Sequence, residues 1–319
     1  MKVVITARNF SAGESRGLEI LAAAGLEIIN AEGGNWGTGA SDEELRRTIA
    51  GADFVIAGLE PFNAETIAAC PELKLISRRG IGYDAVDLAA CRRHGVTLAR
   101  TLGAVEGAVA EHVLAYILYF AKCIGRQNEA MQRGEWTRIM AAGAKSRRLG
   151  LVGFGGIGKE IARRAVPFGM EVSYYCRHPR AEWDAQYGVS YQPLDELLAQ
   201  SDYVSVNVPL TAETEKLFDA AAFAKMKQGS IFINIARAKV MDEKALRAAV
   251  DSGHLGGAAV DVFLKEPCTD SALHGSDKII LTPHTAPFTA ENFALMNNIA
   301  AQNVVDFVRG ELEEKYIVR

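Results

Sequence analysis

The sequence predicts an α/β protein built on two doubly wound parallel sheets, and three observations predict it. The chain has 319 residues, more than one hydrophobic core usually organises, so two domains are expected. Short β-rich runs alternate with helical stretches from end to end, in two series separated by a long helical stretch from about Val105 to Met131. Within each β-rich run the apolar residues follow one another instead of alternating, as in parallel strands covered by helices on both faces.

The first series reads KVVITA (2–7), LEIINA (26–31), DFVIAG (53–58), LKLIS (73–77) and VTLA (96–99), all expected as buried strands. SDEELRRTIA (41–50) is a helix between them, with Ser41 or Asp42 as N-cap and acids in its first turn. The second series reads RLGLVGF (148–154), EVSYY (171–175), YVSVNV (203–208), SIFINIA (230–236), GAAVDVF (257–263) and IILTPH (279–284). The long stretch between the series carries few breakers beyond Gly107 and Gly125.

Composition narrows the function classes. Hydrophobic residues make up 49% and charged residues 23%, an ordinary globular balance. A formal net charge of -4 gives no reason to expect nucleic acid or an anionic membrane as partner. The start, MKVVITARNF, reads as a strand without a signal-peptide core, and the longest apolar run, VLAYILYFA (113–121), is too short to span a bilayer. Cys70, Cys91, Cys123, Cys176 and Cys268 contain no CxxC pair, which argues against a zinc site or a disulfide framework. A cytoplasmic location is the expectation.

The first motif with chemistry is LVGFGGIGKE (151–160). Gly153, Gly155 and Gly158 form G-x-G-x-x-G after a strand and before a helix. The glycines serve a tight turn, close backbone approach to a pyrophosphate, and helix–strand packing. The helix N-terminus offers free N–H groups and the positive end of its dipole. A dinucleotide site is predicted.

Three further segments end strands of the same series. NIARAKVMDE places Arg237 just past one strand, AAVDVFLKEP places Asp261 and Glu266 after the next, and LTPHTAP places His284 after the last. Ligands of open α/β sheets bind outside the carboxyl ends of the strands, so these side chains should converge. A cation, an acid and an imidazole beside a dinucleotide are the parts that hydride transfer to a carboxylate-bearing carbonyl requires. About twenty residues beyond the glycines, NAD-specific folds carry an acid that accepts hydrogen bonds from the adenosine ribose. Here that place holds Cys176, followed by Arg177, with His178 and Arg180 close behind. A carboxylate would repel the 2′-phosphate of NADP, whereas arginine binds it, so NADP(H) is favoured and NAD(H) remains possible.

With these motifs in hand, and with LKLISRRGIGYDAVDLAACRRHGV (73–96), AVAEHVLAYIL (108–118) and VPLTAET (208–214), the chain resembles the D-2-hydroxyacid dehydrogenases over essentially its whole length. That family includes phosphoglycerate dehydrogenase and glyoxylate/hydroxypyruvate reductase. The resemblance implies Arg237, Glu266 and His284 as catalytic residues. It implies cofactor contacts at Gly153, Gly155, Gly156, Ile157, Gly158, Cys176, Arg177, Val208, Ile235 and Asp261. Backbone amides around Gly80, Ile81 and Gly82 would hold the substrate carboxylate. It further implies a Rossmann-type cofactor domain (100–287) inserted in a flavodoxin-like substrate domain (1–99 with 288–319). A dimerisation arm at about 104–135 and a homodimer belong to the same expectation.

From these roles a mechanism is expected. His284 gives a proton to the carbonyl oxygen as hydride reaches the carbon, and Glu266, touching the imidazole, favours its charged form. Arg237 bridges the oxo oxygen and the carboxylate with its planar fork. Where phosphoglycerate-specific relatives tend to carry an arginine after the third strand, this chain reads Gly58-Leu59-Glu60, which favours a small 2-oxo acid with an uncharged tail. Arg79 argues the other way. Ala238 stands where the family usually has glycine, Asn207 where histidine is common, and Glu106-Gly107 has no account. The alternatives are a phosphoglycerate dehydrogenase-type activity with NAD and a dinucleotide-sensing, corepressor-like binding module.

Overall fold

The computed structural model describes residues 1–34, 36, 37 and 39–319. The chain divides into two compact units, Met1–Val105 with Phe288–Arg319, and Glu106–Pro287.

The first unit contains strands β1 (Lys2–Ile5), β2 (Glu27–Asn30), β3 (Phe54–Ala57), β4 (Leu75–Arg78) and β5 (Thr97–Arg100). They form one parallel sheet in the order β2-β1-β3-β4-β5, the flavodoxin-like arrangement. Helices α1 (Gly17–Ala23), α2 (Asp42–Ile49), α3 (Ala64–Ala68) and α4 (Leu88–His94) connect them. Ser41 is the N-cap of α2, accepting from the Glu44 N–H at 3.4 Å. The expected end of this unit at residue 99 lies too early. Thr101 donates its N–H to the Gly80 carbonyl (3.1 Å) and accepts the Gly80 N–H on its hydroxyl (2.9 Å), which keeps the chain in this unit up to Val105. LEIINA also departs from expectation: β2 is an edge strand, and Ile29 is 41% exposed.

The second unit opens with α5 (Glu106–Lys122) and α6 (Ile124–Gln132). The expected single helical stretch is therefore two helices, bent by 61° at Cys123, whose φ of 51° lies in the left-handed region. Among the described residues, no single helix is long and apolar enough to cross a membrane. Strands β6 (Arg148–Val152), β7 (Glu171–Tyr175), β8 (Val189–Tyr191), β9 (Tyr203–Val206), β10 (Ile231–Asn234), β11 (Gly257–Val260) and β12 (Ile279–Leu281) follow. Their parallel order, β12-β11-β10-β9-β6-β7-β8, reverses direction between β6 and β9, where doubly wound folds hold dinucleotides. Helices α7 (Gly156–Ala165), α8 (Ala181–Tyr187), α9 (Leu194–Gln200), α10 (Ala220–Lys225) and α11 (Glu243–Asp251) pack around this sheet, and α12 (Ala290–Arg309) returns to the first unit. Val204, Val206, Phe232, Leu246, Val250 and Val260 are all fully buried in the second core, burial of the kind that stabilises by about 1.5–3 kcal/mol per large apolar side chain.

Candidate active site

The glycine motif sits at the switch point. Gly153 follows β6 with φ +103°, and a Cβ there would lie 2.8 Å from the Asn207 carbonyl carbon and oxygen. A Cβ on Gly158 would lie 2.5 Å from the Gly153 oxygen, so only glycine lets α7 pack this close to its strand. Gly155, the N-cap of α7, is exposed, with nothing within 4 Å of where its Cβ would be. That open space is what a pyrophosphate needs above the first turn. No side chain caps α7 and no acid lies in its first turn, so Gly156, Ile157 and Gly158 present their N–H groups there. Val208 lies over the turn, its Cγ1 3.0 Å from a Cβ on Gly153, and Ile235 is buried at the end of β10. These residues fit a dinucleotide.

The three ionisable residues singled out in the sequence follow three neighbouring strands, β10, β11 and β12. Arg237 is presented by a turn that Asn234 builds. The buried Asn234 side chain accepts the Ala236 N–H (2.9 Å) and donates to the Arg237 carbonyl (3.0 Å). Nη1 of Arg237 donates to the Ala236 carbonyl at 2.7 Å. Glu266 accepts the Phe263 N–H on Oε1 (3.1 Å), while its Oε2 lies 2.8 Å from Nδ1 of His284. Burial pushes the Glu266 carboxyl up, but the His284 hydrogen bond and charge, the Phe263 N–H and Arg237 outweigh it and hold it below its ordinary value. His284 itself adopts φ +53°, a left-handed conformation that a non-glycine residue keeps only where its surroundings impose it.

Asp261 does the imposing. It is 1% exposed, and its Oδ1 accepts the Thr282 hydroxyl (2.5 Å) and the Thr285 N–H (2.8 Å), its Oδ2 the Ala286 N–H (2.9 Å). Both oxygens thus hold the segment that carries His284. A carboxylate has no proton to give, so Thr282 donates to it and offers its lone pairs to the Tyr116 hydroxyl and to Nε2 of His112 (3.3 Å), both on α5. Burial pulls His112 below its ordinary value against the opposing charge of Asp261, and pushes the Tyr116 phenol up. Sequence reading placed Asp261 among the cofactor contacts and missed Asn234, His112, Tyr116 and Thr282 altogether. Only the apolar spacing around His112 and Tyr116, which puts both on one face of a helix, hinted at the last group.

The Glu266 carboxyl sets a pH signature. Its value is depressed on folding, so its contribution to stability is present above the ordinary carboxylate value and is lost as pH falls through the depressed one. Wild type should therefore melt above Glu266→Gln at neutral pH, with the gap closing in acid. A gap independent of pH would remove the His284–Glu266 pair from the stability of this unit.

In the first unit, the Gly80 N–H is given to the Thr101 hydroxyl at 2.9 Å, because the Gly80 turn (φ +134°) faces that hydroxyl. The N–H groups of Ile81 and Gly82 enter no hydrogen bond among the described residues. Arg79 is packed, not solvated, with its guanidinium 4.7 Å from the Phe293 ring centroid and 3.5 Å from Asn297 Oδ1, and burial pulls it down to about 10. Glu60 is 1% exposed, and burial pushes its carboxyl up against the pull of Arg78 and Arg79. Cys176 closes β7 half-buried, and burial raises its thiol, with the His178 N–H and Lys159 opposing. Arg177 beside it is exposed.

Residues 114–286 match the model of the D-isomer specific 2-hydroxyacid dehydrogenase, NAD binding domain. The chain is 34% identical over 280 residues to glyoxylate reductase of Pyrococcus furiosus, covering 85% of this chain and 83% of that one. It is 35% identical over 285 residues to D-3-phosphoglycerate dehydrogenase of Mycobacterium leprae, covering 88% of this chain and 53% of that one. The solved D-lactate dehydrogenase of Aquifex aeolicus, complexed with NAD and lactic acid, superposes with a TM-score of 0.85 at 27% identity, over 100% of this chain and 99% of that one. A dinucleotide fold with these likenesses defines an oxidoreductase that binds a nicotinamide dinucleotide. The chain belongs to the D-2-hydroxyacid dehydrogenase family, and its activity is that of an NAD(P)-dependent 2-hydroxyacid dehydrogenase.

Proposed function

We propose that this enzyme reduces a small, uncharged-tail 2-oxo acid, of the glyoxylate or hydroxypyruvate kind, and prefers NADPH. The 2.8 Å contact between His284 and Glu266, beside Arg237 on the neighbouring strand ends, carries the reading. When bound, the reduced nicotinamide supplies hydride to the carbonyl carbon. His284 delivers a proton to the carbonyl oxygen, and Glu266 holds the ring through Nδ1 so that Nε2 is the atom that gives it. Arg237 binds the substrate carboxylate and the oxygen on which charge develops. The run Gly58-Leu59-Glu60, without the arginine that phosphoglycerate-specific relatives tend to carry there, supports a tail without phosphate.

The absence of an acid at Cys176 and the cation at Arg177 support NADPH. Initial rates with glyoxylate, hydroxypyruvate, pyruvate and phosphohydroxypyruvate, each with both coenzymes, test the reading: kcat/KM should be higher with NADPH and for the unphosphorylated acids. Cys176→Asp combined with Arg177→Ser should swing coenzyme preference by about 10- to 100-fold, the worth of a hydrogen bond to a charged group. Higher kcat/KM with NADH in the unmutated enzyme would refute the coenzyme assignment.

The exposed apolar residues Ile124, Met131, Trp136 and Met140 on and after α6 support a homodimer joined through this arm. Free thiols at all five cysteines support a reducing, cytoplasmic setting.

A further inference from the structure

Thr282 follows β12, two residues before His284, and each of its polar groups is engaged. Its N–H goes to the Val260 carbonyl (3.1 Å), and its own carbonyl accepts the His284 N–H (3.0 Å). Its hydroxyl meets Asp261, Tyr116 and His112. Pro283 stands between Thr282 and His284 with its φ fixed by the ring, so the setting of Thr282 passes on to His284.

The hydroxyl has one proton and two lone pairs, and three partners claim them. Asp261, 1% exposed and already accepting two main-chain N–H groups, takes the proton at 2.5 Å. The lone pairs are left to Tyr116 and to Nε2 of His112 at 3.3 Å, so both of these must donate. Tyr116 is suited to that part. Burial pushes its phenol up, so the O–H stays intact through neutral and mildly alkaline pH. His112 donates in the tautomer that carries its proton on Nε2. The two rings stand edge to face, centroids 4.6 Å apart, and α5 thus brings both donors to one oxygen. Tyr116 is the more deeply set of the two, buried where His112 is half-buried. A hydroxyl that accepts also donates more strongly, so the phenol strengthens the bond from Thr282 to the Asp261 carboxylate.

We propose that Tyr116 is a positioning residue for proton delivery by His284, acting through Thr282. The proposal rests on the reading of His284 as the proton donor. The chain runs from the Tyr116 O–H to the Thr282 hydroxyl and on to Asp261, while the Thr282 carbonyl holds the N–H of His284 itself. A helix at the start of the second unit thereby sets the aim of an imidazole near its end.

Tyr116→Phe keeps the ring and its packing on His112 and removes only the hydroxyl. It should lower kcat by about two- to tenfold, the worth of one hydrogen bond, with coenzyme affinity within about twofold of wild type. The solvent deuterium isotope effect on kcat should rise, because a less firmly aimed imidazole slows proton delivery. Thr282→Val should lose at least as much, and Tyr116→Phe should cost nothing further in that background. Thr282→Ser keeps the hydroxyl and should recover most of the Thr282→Val loss. An unchanged kcat and isotope effect in Tyr116→Phe, with only the melting temperature lowered, would overturn the positioning role, and this single variant decides it even where Thr282→Val does not fold. A full additional loss in the Thr282→Val background would overturn the route through Thr282. His284→Ala, measured alongside, keeps the two readings apart: a near-wild-type kcat there overturns the proton-donor reading and this inference with it, whereas a large loss there with none in Tyr116→Phe overturns this inference alone.

Discussion

His284→Ala is expected to lower kcat for 2-oxo acid reduction by about 10²–10⁴-fold, the usual worth of a positioned general acid. Proton delivery must coincide with hydride arrival, and His284 is the imidazole paired with an acid at the end of β12. The size of the loss depends on how firmly the ring is aimed. Nδ1 is fixed by Glu266, and the backbone is held at φ +53° by neighbours anchored to Asp261. Binding of the coenzyme should survive the substitution, since the glycine turn lies after β6. Steady-state rates together with coenzyme titration separate the two effects, and a near-wild-type kcat would mean that the proton comes from another group.

Asp261→Ala should be the most destabilising single change in this unit, by about 3–5 kcal/mol. It leaves the Thr285 and Ala286 N–H groups and the Thr282 hydroxyl without their acceptor, and each orphaned buried donor costs roughly 1–3 kcal/mol. For a unit of this size the melting temperature should fall by roughly 10 °C. Asp261→Asn should be milder, because its remaining carbonyl oxygen still accepts on the Oδ1 side while its NH₂ opposes the Ala286 N–H. A thermal melt of Asp261→Ala within a degree or two of wild type would show that this carboxylate is not what holds the His284 segment.

Much of the fold was legible because its signals are local. Short continuous apolar runs such as FVIA and IFIN, bounded by turn residues and alternating with helical patterns, read as buried parallel strands, and the glycine spacing announces its own turn. What escaped reading depends on partners distant in the chain. β8 is three residues long at a sheet edge, too short to show a period. The α5–α6 break falls on Cys123, a residue with no breaker chemistry, two positions from the Gly125 that drew notice. The same holds at the site. Arg237, Glu266 and His284 were visible as ionisable residues at strand ends, but the supports behind them were not. Thr282 and Tyr116 lie 166 residues apart, and the hydroxyl that takes the Gly80 N–H comes from 21 residues away. Asp261 was visible too, yet nothing in its neighbourhood said that its oxygens were already committed.

The edge position of β2 bears on how the chain behaves before it is fully folded. An outermost strand leaves one row of its backbone groups unpaired, a template on which a strand from another molecule can add. Here the strand is only four residues long, begins with Glu27 and ends with Asn30, so the apolar pair Ile28-Ile29 is bracketed by a charge and an amide. A four-residue edge with a charge at one end is the kind of strand that discourages edge-to-edge addition, so replacing Glu27 with an apolar residue is expected to raise the tendency of this unit to aggregate.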